Sequence, residues 1–205
     1  MSAFLGPIHA WLYNKIKFQD AMVDGILDLA KENGWGELRK EAGRRYGELG
    51  KGKLEDMIDT GNIHGWLQEK VSMVENRLAF VVTSFAGQDE ERFSSVKEAV
   101  FRFGEKNPLD KDTTPREAYD YLESILLNGM PCDRVNELIQ DTPEKLLWRQ
   151  TTDIHAPYWD MIHGDAARYQ ALRESLIQGM LKGSAIEFGQ AGDQEYELRR
   201  RLCTE

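Results

Sequence analysis

The sequence predicts a mostly helical α+β protein, with long N-terminal helices and a small antiparallel sheet near the C-terminus. Three observations carry that prediction. Apolar residues recur every three to four positions in several long runs before the break at Asn128-Gly129-Met130-Pro131, the period of a helix with one buried face. Two of these runs open on the same eleven-residue phrase, GPIHAWLYNKI from Gly6 to Ile16 and GNIHGWLQEKV from Gly61 to Val71, identical at six positions. After the break the texture changes to short runs bracketing Asp141-Thr142-Pro143-Glu144 and Ala191-Gly192-Asp193, the punctuation of hairpins. The chain thus divides into a helical portion, residues 1–130, that carries the repeat, and an α+β portion, residues 131–205, standing apart or packed with it as one body.

The elements follow in order. From Phe4 to about Glu32, Ile8, Leu12, Ile16, Val23, Ile26, Leu27 and Ala30 share one helical face, and Asn33-Gly34 ends the run. Residues Gly36 to Thr60 are richer in glycine and charge, with one short helix from Glu37 to Tyr46. The second copy starts a helix capped by Asn62 or Thr60, carrying Ile63, Leu67, Val71, Val74, Leu78, Val81 and Val82 and stopping at Ala86-Gly87. Asp89 to Gly104 is a third helix, and Thr114-Pro115-Arg116-Glu117 opens a fourth that reaches about Asn128. Beyond the break, Arg134–Gln140 and Lys145–Thr151 form a hairpin, and Pro157 lies in the first turn of a helix. Asp165 to Leu181 makes a further helix, and Ala185–Gln190 faces Gln194–Arg200.

Composition narrows the function. Hydrophobic residues at 41% and charged residues at 30% are the usage of a folded globular chain. A net charge of -9 argues against nucleic acid or an anionic membrane as partner, because both demand a basic surface. The basic group Arg39, Lys40, Arg44, Arg45, Lys51 and Lys53 is interleaved with Glu37, Glu41, Glu48, Glu55 and Asp56, as on a solvated helix face. Cys132 and Cys203 have no CxxC spacing and imply a reducing compartment. Cys132 reads as a partly buried, inert thiol rather than a nucleophile. The N-terminus has no basic leader and the apolar stretch Leu78–Ala86 is too short to span a bilayer, so a cytoplasmic protein is expected.

The repeat supplies the leading site. His9 and His64 occupy equivalent positions on the edge of an apolar face, and Asp20 and Glu75 follow eleven residues later on the same edge. Eleven residues span about 16 Å of helix, so neither histidine reaches its own carboxylate. Antiparallel helices would pair His9 with Glu75 and His64 with Asp20, whereas parallel helices would bring the two imidazoles together. The parallel arrangement is the expectation, since a returning segment between residues 36 and 58 restores the direction. A second donor set lies in TTDIHAPYWDMIHGD, where His155, Asp160 and His163 join Asp153 and Asp165. His9, His64, His155, Asp160 and His163 are therefore the candidate metal ligands, for zinc, iron or haem. Against this stands helix entry and packing as the whole reason for the repeated Gly, His and Trp. The run from Gly47 to Lys53 matches GxxxxGK, but Leu54 stands where a magnesium-binding hydroxyl is needed and no strand precedes it.

The last third, residues 133 to 201, carries WRQT at Trp148–Thr151, YWDMIHGD, LRESLIQGML and a closing GDQEYEL at Gly192–Leu198. In this layout it resembles the L-2-amino-thiazoline-4-carboxylic acid hydrolase-like family and, more distantly, small-molecule-binding 4-vinyl reductase domains. That family is expected to carry cysteines where this chain has Asp153-Ile154-His155 and Tyr196, so the resemblance implies a ligand-binding α+β module. Three functional readings follow. The first is a metal- or small-ligand-binding protein that extends to a metal-assisted hydrolase. The second is a small-molecule sensor in which Trp11, Trp66, Trp148 and Trp159 line an apolar pocket. The third is a structural homo-oligomer joined through the Trp-bearing helix faces.

Overall fold

The structure, a computed structural model, describes residues 5–201. Its elements run α1 (Pro7–Glu32), α2 (Arg39–Tyr46), α3 (Leu54–Met57), α4 (Ile63–Ala86), α5 (Glu90–Glu105), α6 (Pro115–Ile125), β1 (Asn136–Asp141), β2 (Lys145–Gln150), α7 (Ala156–Asp160), α8 (Ala166–Leu181), β3 (Ile186–Gly192) and β4 (Glu195–Arg200). The fold class is the α+β, mostly helical one that the sequence implies. The four strands form one antiparallel sheet in the order β1-β2-β4-β3, so both hairpins exist and β2 joins them by pairing with β4. None of the helices among the described residues is long and apolar enough to cross a membrane.

Local signals set most boundaries. Pro7 opens α1, where a missing N–H costs nothing. Asn62, Asp89, Thr114 and Asp165 each accept a backbone N–H in the first turn of the helix they precede. Thr114 and Glu117 complete a reciprocal capping box. Several boundaries differ from the sequence reading, among them β3, which runs on to Gly192 through the residues read as a turn. The helix expected to reach Asn128 ends at Ile125, because Leu126 turns extended and both Leu126 and Leu127 are buried. Leu54–Met57 form a helical turn where only a charged connection was read, since Leu54 and Ile58 bury on the ends of α1 and α4.

The repeated helices run parallel, as their contacts show. His9 meets His64, Tyr13 meets Trp66 and Asp20 meets Arg77, so successive positions of α1 match successive positions of α4. The connection through α2 and α3 is the returning segment. Arg39 within it binds Asp24 and Asp28 of α1, and Arg45 binds Glu41, which accounts for the local basic group as a solvated face. Two apolar clusters result. The smaller holds Leu12, Ile16, Ile63, Leu67, Val71 and Leu127 between the first halves of α1 and α4. The larger runs from Val23 and Leu78 through Val100 and Leu176 to Leu146 and Leu198 under the sheet, drawing on both portions of the chain. Within it α5 and α8 cross with backbone against backbone. A methyl at Gly104 would strike the carbonyl of Leu176, and one at Gly179 the carbonyl of Phe101.

Candidate functional site

The smaller cluster ends in an open groove of about 620 Å³ at the starts of α1 and α4. Ile8, His9 and Leu12 come from α1, His64 and Leu67 from α4, and Met130, Pro131, Cys132 and Arg134 from the turn before β1. That turn has a local cause. The Asp133 carboxylate accepts the Met130 amide at 2.8 Å and the Asp133 amide returns to the Met130 carbonyl at 2.9 Å. Gly129 sits at φ 70°, and a Cβ there would crowd Asp133 and Ile154. Closing the turn on Asp133 leaves Cys132 exposed, which corrects the expectation of a partly buried thiol. Cys203 lies outside the described residues.

The two histidines of the repeat meet at this groove. Their Nε2 atoms are 3.4 Å apart, with ring centroids at 5.5 Å and planes tilted by 53°. The Gly6 amide donates to His9 Nδ1 at 3.0 Å. An accepting Nδ1 carries no proton, so neutral His9 bears its hydrogen on Nε2 and points it at His64 Nε2. His64 then holds its own proton on Nδ1. Neither that nitrogen nor the Arg134 guanidinium has a hydrogen-bonding or ionic partner among the described residues.

The other predicted residues go elsewhere. His155 is 1% exposed and lies in a second, interior site. Its Nδ1 is 3.1 Å from Glu75 Oε2, and its Nε2 is 2.9 Å from the Tyr169 hydroxyl, which also accepts from Arg173 Nη1 at 3.3 Å. The one arrangement that satisfies both His155 nitrogens and the Tyr169 hydroxyl runs in a single direction. Arg173 donates to Tyr169, Tyr169 to His155 Nε2, and His155 Nδ1–H to the Glu75 carboxylate. Burial raises the Tyr169 pKa, which keeps this hydroxyl a donor. Asp153 caps the turn by accepting the amides of His155 and Ala156. Asp160 is the exposed last residue of α7, and the exposed His163 follows it with φ 56° in a turn closed by its amide on the Asp160 carbonyl. The five candidate ligands are thus spread over three places. No group of three or more His, Cys, Asp and Glu side chains suited to a metal gathers among the described residues.

The aromatic pocket expected of the tryptophans does not form. Trp11 is covered by the Lys15 ammonium at 3.8 Å, and Trp66 packs on Tyr13. Trp148 lies under the sheet against Tyr119, Phe188 and Tyr196, while Trp159 is fully buried in the larger cluster. Their helical and strand positions face different parts of the core, and none lines the groove. The sequence reading missed Tyr169 and Arg173, which are one turn apart on α8, and took Glu75 for a counterpart of Asp20. The overlooked signal was an acidic residue inside the apolar run from Val71 to Val82. It also missed Lys15, which is 4% exposed and whose pKa burial lowers to about 8. Comparison with protein-family models, curated proteins and solved structures gives no match.

Proposed function

We propose that this protein binds a small organic molecule in the groove at the two helix starts. The observation that carries this reading is the meeting of His9 and His64 on the wall of that groove. Duplicated helices packed parallel place two equivalent imidazoles where Leu12, Leu67 and Met130 provide an apolar lining and Arg134 a cationic edge. An apolar cleft of this size with a few convergent polar groups is the usual form of a small-molecule site. The test is amide chemical-shift mapping of the labelled protein with a mixture of aliphatic and aromatic fragments. Shifts confined to residues 8–12, 64–67 and 130–134, and lost in Ile8→Glu, support the groove. Shifts centred on any other surface overturn it.

One distance favours a second reading, in which the histidines hold a metal ion. Two nitrogens on a tetrahedral ion with bonds of 2.0–2.1 Å stand about 3.3–3.4 Å apart, and the imidazole nitrogens stand at 3.4 Å. An ion there would activate a bound water, the chemistry of a hydrolase. His9 would have to move its proton to Nδ1 and give up the Gly6 amide, which is why the organic ligand comes first. Metal content and the visible spectrum of protein purified without chelators, beside His9→Ala/His64→Ala, separate the two. Near-stoichiometric metal that disappears in the variant selects the ion.

A further inference from the structure

The groove has two chemistries on its walls. Ile8 is 51% exposed, an unusual position for a large aliphatic side chain, and it continues into Leu12, Leu67 and Met130. The polar part is entirely nitrogen and sulfur. His9, His64, Arg134 and Cys132 line it, and neither Asp nor Glu does, in a chain with 35 acidic residues against 26 basic ones. The nearest carboxylate in sequence, Asp133, stands outside the lining, with one oxygen on the Met130 amide and the other 3.9 Å from the Cys132 thiol. Arg134 forms no ion pair among the described residues, a lack it shares with Arg44, Arg173 and Arg200, but of these it alone lines the groove. The parallel packing also aims two helix N-termini, of 26 and 24 residues, at the same place, so their dipoles add positive potential to that of the guanidinium.

Building on the ligand-binding reading above, we propose that the ligand is an amphiphilic monocarboxylate. Its aliphatic or aromatic body lies along Ile8, Leu12, Leu67 and Met130, and its carboxylate pairs with Arg134 and accepts from the His9–His64 pair. A guanidinium offers a planar fork that matches a carboxylate, and His64 Nδ1–H is a free donor in the tautomer fixed by the Gly6 amide. A single arginine beside mostly apolar walls suits one negative charge on a largely apolar molecule, rather than a polyphosphate or a cation. Desolvation by the aliphatic wall strengthens the ion pair, so the head group and the body reinforce one another.

Three amphiphiles with the same ten-carbon chain test this. Decanoate, decanol and decylammonium, each below its aggregation threshold, are titrated against full-length protein with the neutral dye Nile red bound, and displacement is read by fluorescence. Decanoate is expected to displace the dye at a concentration at least about tenfold lower than decanol, from the strength of charged hydrogen bonds, with decylammonium weakest. Arg134→Gln, an exposed substitution that preserves the fold, should bring decanoate close to decanol, and added salt should act in the same direction. Equal displacement by decanoate and decanol, with the dye released in Ile8→Glu, would overturn the carboxylate while leaving the ligand-binding reading intact. An advantage for decanoate that Arg134→Gln leaves undiminished would also overturn it. Dye binding that ignores Ile8→Glu would remove the groove and both readings together.

Discussion

Helix α4 builds two histidine sites about three turns apart, and they treat polar groups in opposite ways. At its first turn His64 meets His9 in water, with one ring nitrogen and the neighbouring Arg134 left without protein partners. Eleven residues on, Glu75 is 2% exposed and joins His155, Tyr169 and Arg173 in a directed chain of hydrogen bonds. The interior has no solvent to satisfy a polar atom, so both nitrogens of His155 are matched by the protein, while Glu75 Oε1 is left without a partner among the described residues. The difference separates what holds the fold from what is free to bind. Valence used up inside the protein contributes stability, and valence left at a groove is available to a ligand.

The comparison predicts unequal stability effects. Glu75→Leu leaves the buried His155 Nδ1–H without its acceptor, and should cost up to about 3 kcal/mol in urea unfolding at pH 7. A loss below about 1 kcal/mol would mean that the interior chain is no more structural than the surface pair. Lys15 is the interior exception, because its ammonium rests on Trp11 with no carboxylate in ion-pair contact among the described residues. Its folded pKa of about 8 lies below the ordinary 10.5, so the unfolded chain binds more protons between those values. Stability therefore rises with pH across that window. Lys15→Met should stabilise the protein at pH 7 by at most about 3 kcal/mol, and its advantage should narrow from pH 8 to 10. Above about pH 10 the ionisation of unfolded tyrosines opposes the rise, since burial keeps Tyr119 and Tyr169 protonated in the fold. An advantage that stays constant with pH would show that Lys15 is not desolvated. Tyr169→Phe removes the donor to His155 Nε2 and the acceptor of Arg173 Nη1, and should cost about 1–3 kcal/mol by the same unfolding measurement.

The sequence made the fold legible wherever a local cause sets it. Thr114-Pro115-Arg116-Glu117 announces a helix start, Asn33-Gly34 a helix end, and Asp141-Thr142-Pro143-Glu144 a turn between strands, each of which forms where those residues stand. The meeting of His9 and His64 was legible through the repeat, since equivalent positions on parallel helices must approach one another. The interior chain was not. Glu75, His155 and Tyr169 lie 80 and 14 residues apart, and no local pattern encodes a contact made by three helices packing around one point. The density of donors in TTDIHAPYWDMIHGD misled for the same reason. Neighbours in sequence were separated by α7, whose first turn buries His155 while its end leaves His163 in water.

The smallest effect is the one that sharpens the contrast most. His9→Ala/His64→Ala removes two side chains that contribute little to the core, and the Gly6 amide they release is open to water. Stability should change by no more than about 0.5 kcal/mol, the range of an ordinary surface substitution. The same double variant should weaken the groove's preference for decanoate over decanol in the Nile red displacement assay, because the Nδ1–H donor of His64 is gone while Arg134 remains. Stability and binding are then carried by different histidines of one protein. A double variant that unfolds more than about 2 kcal/mol too easily would instead place the repeat's histidines with the packing residues, and the meeting of the two rings would be a consequence of helix entry.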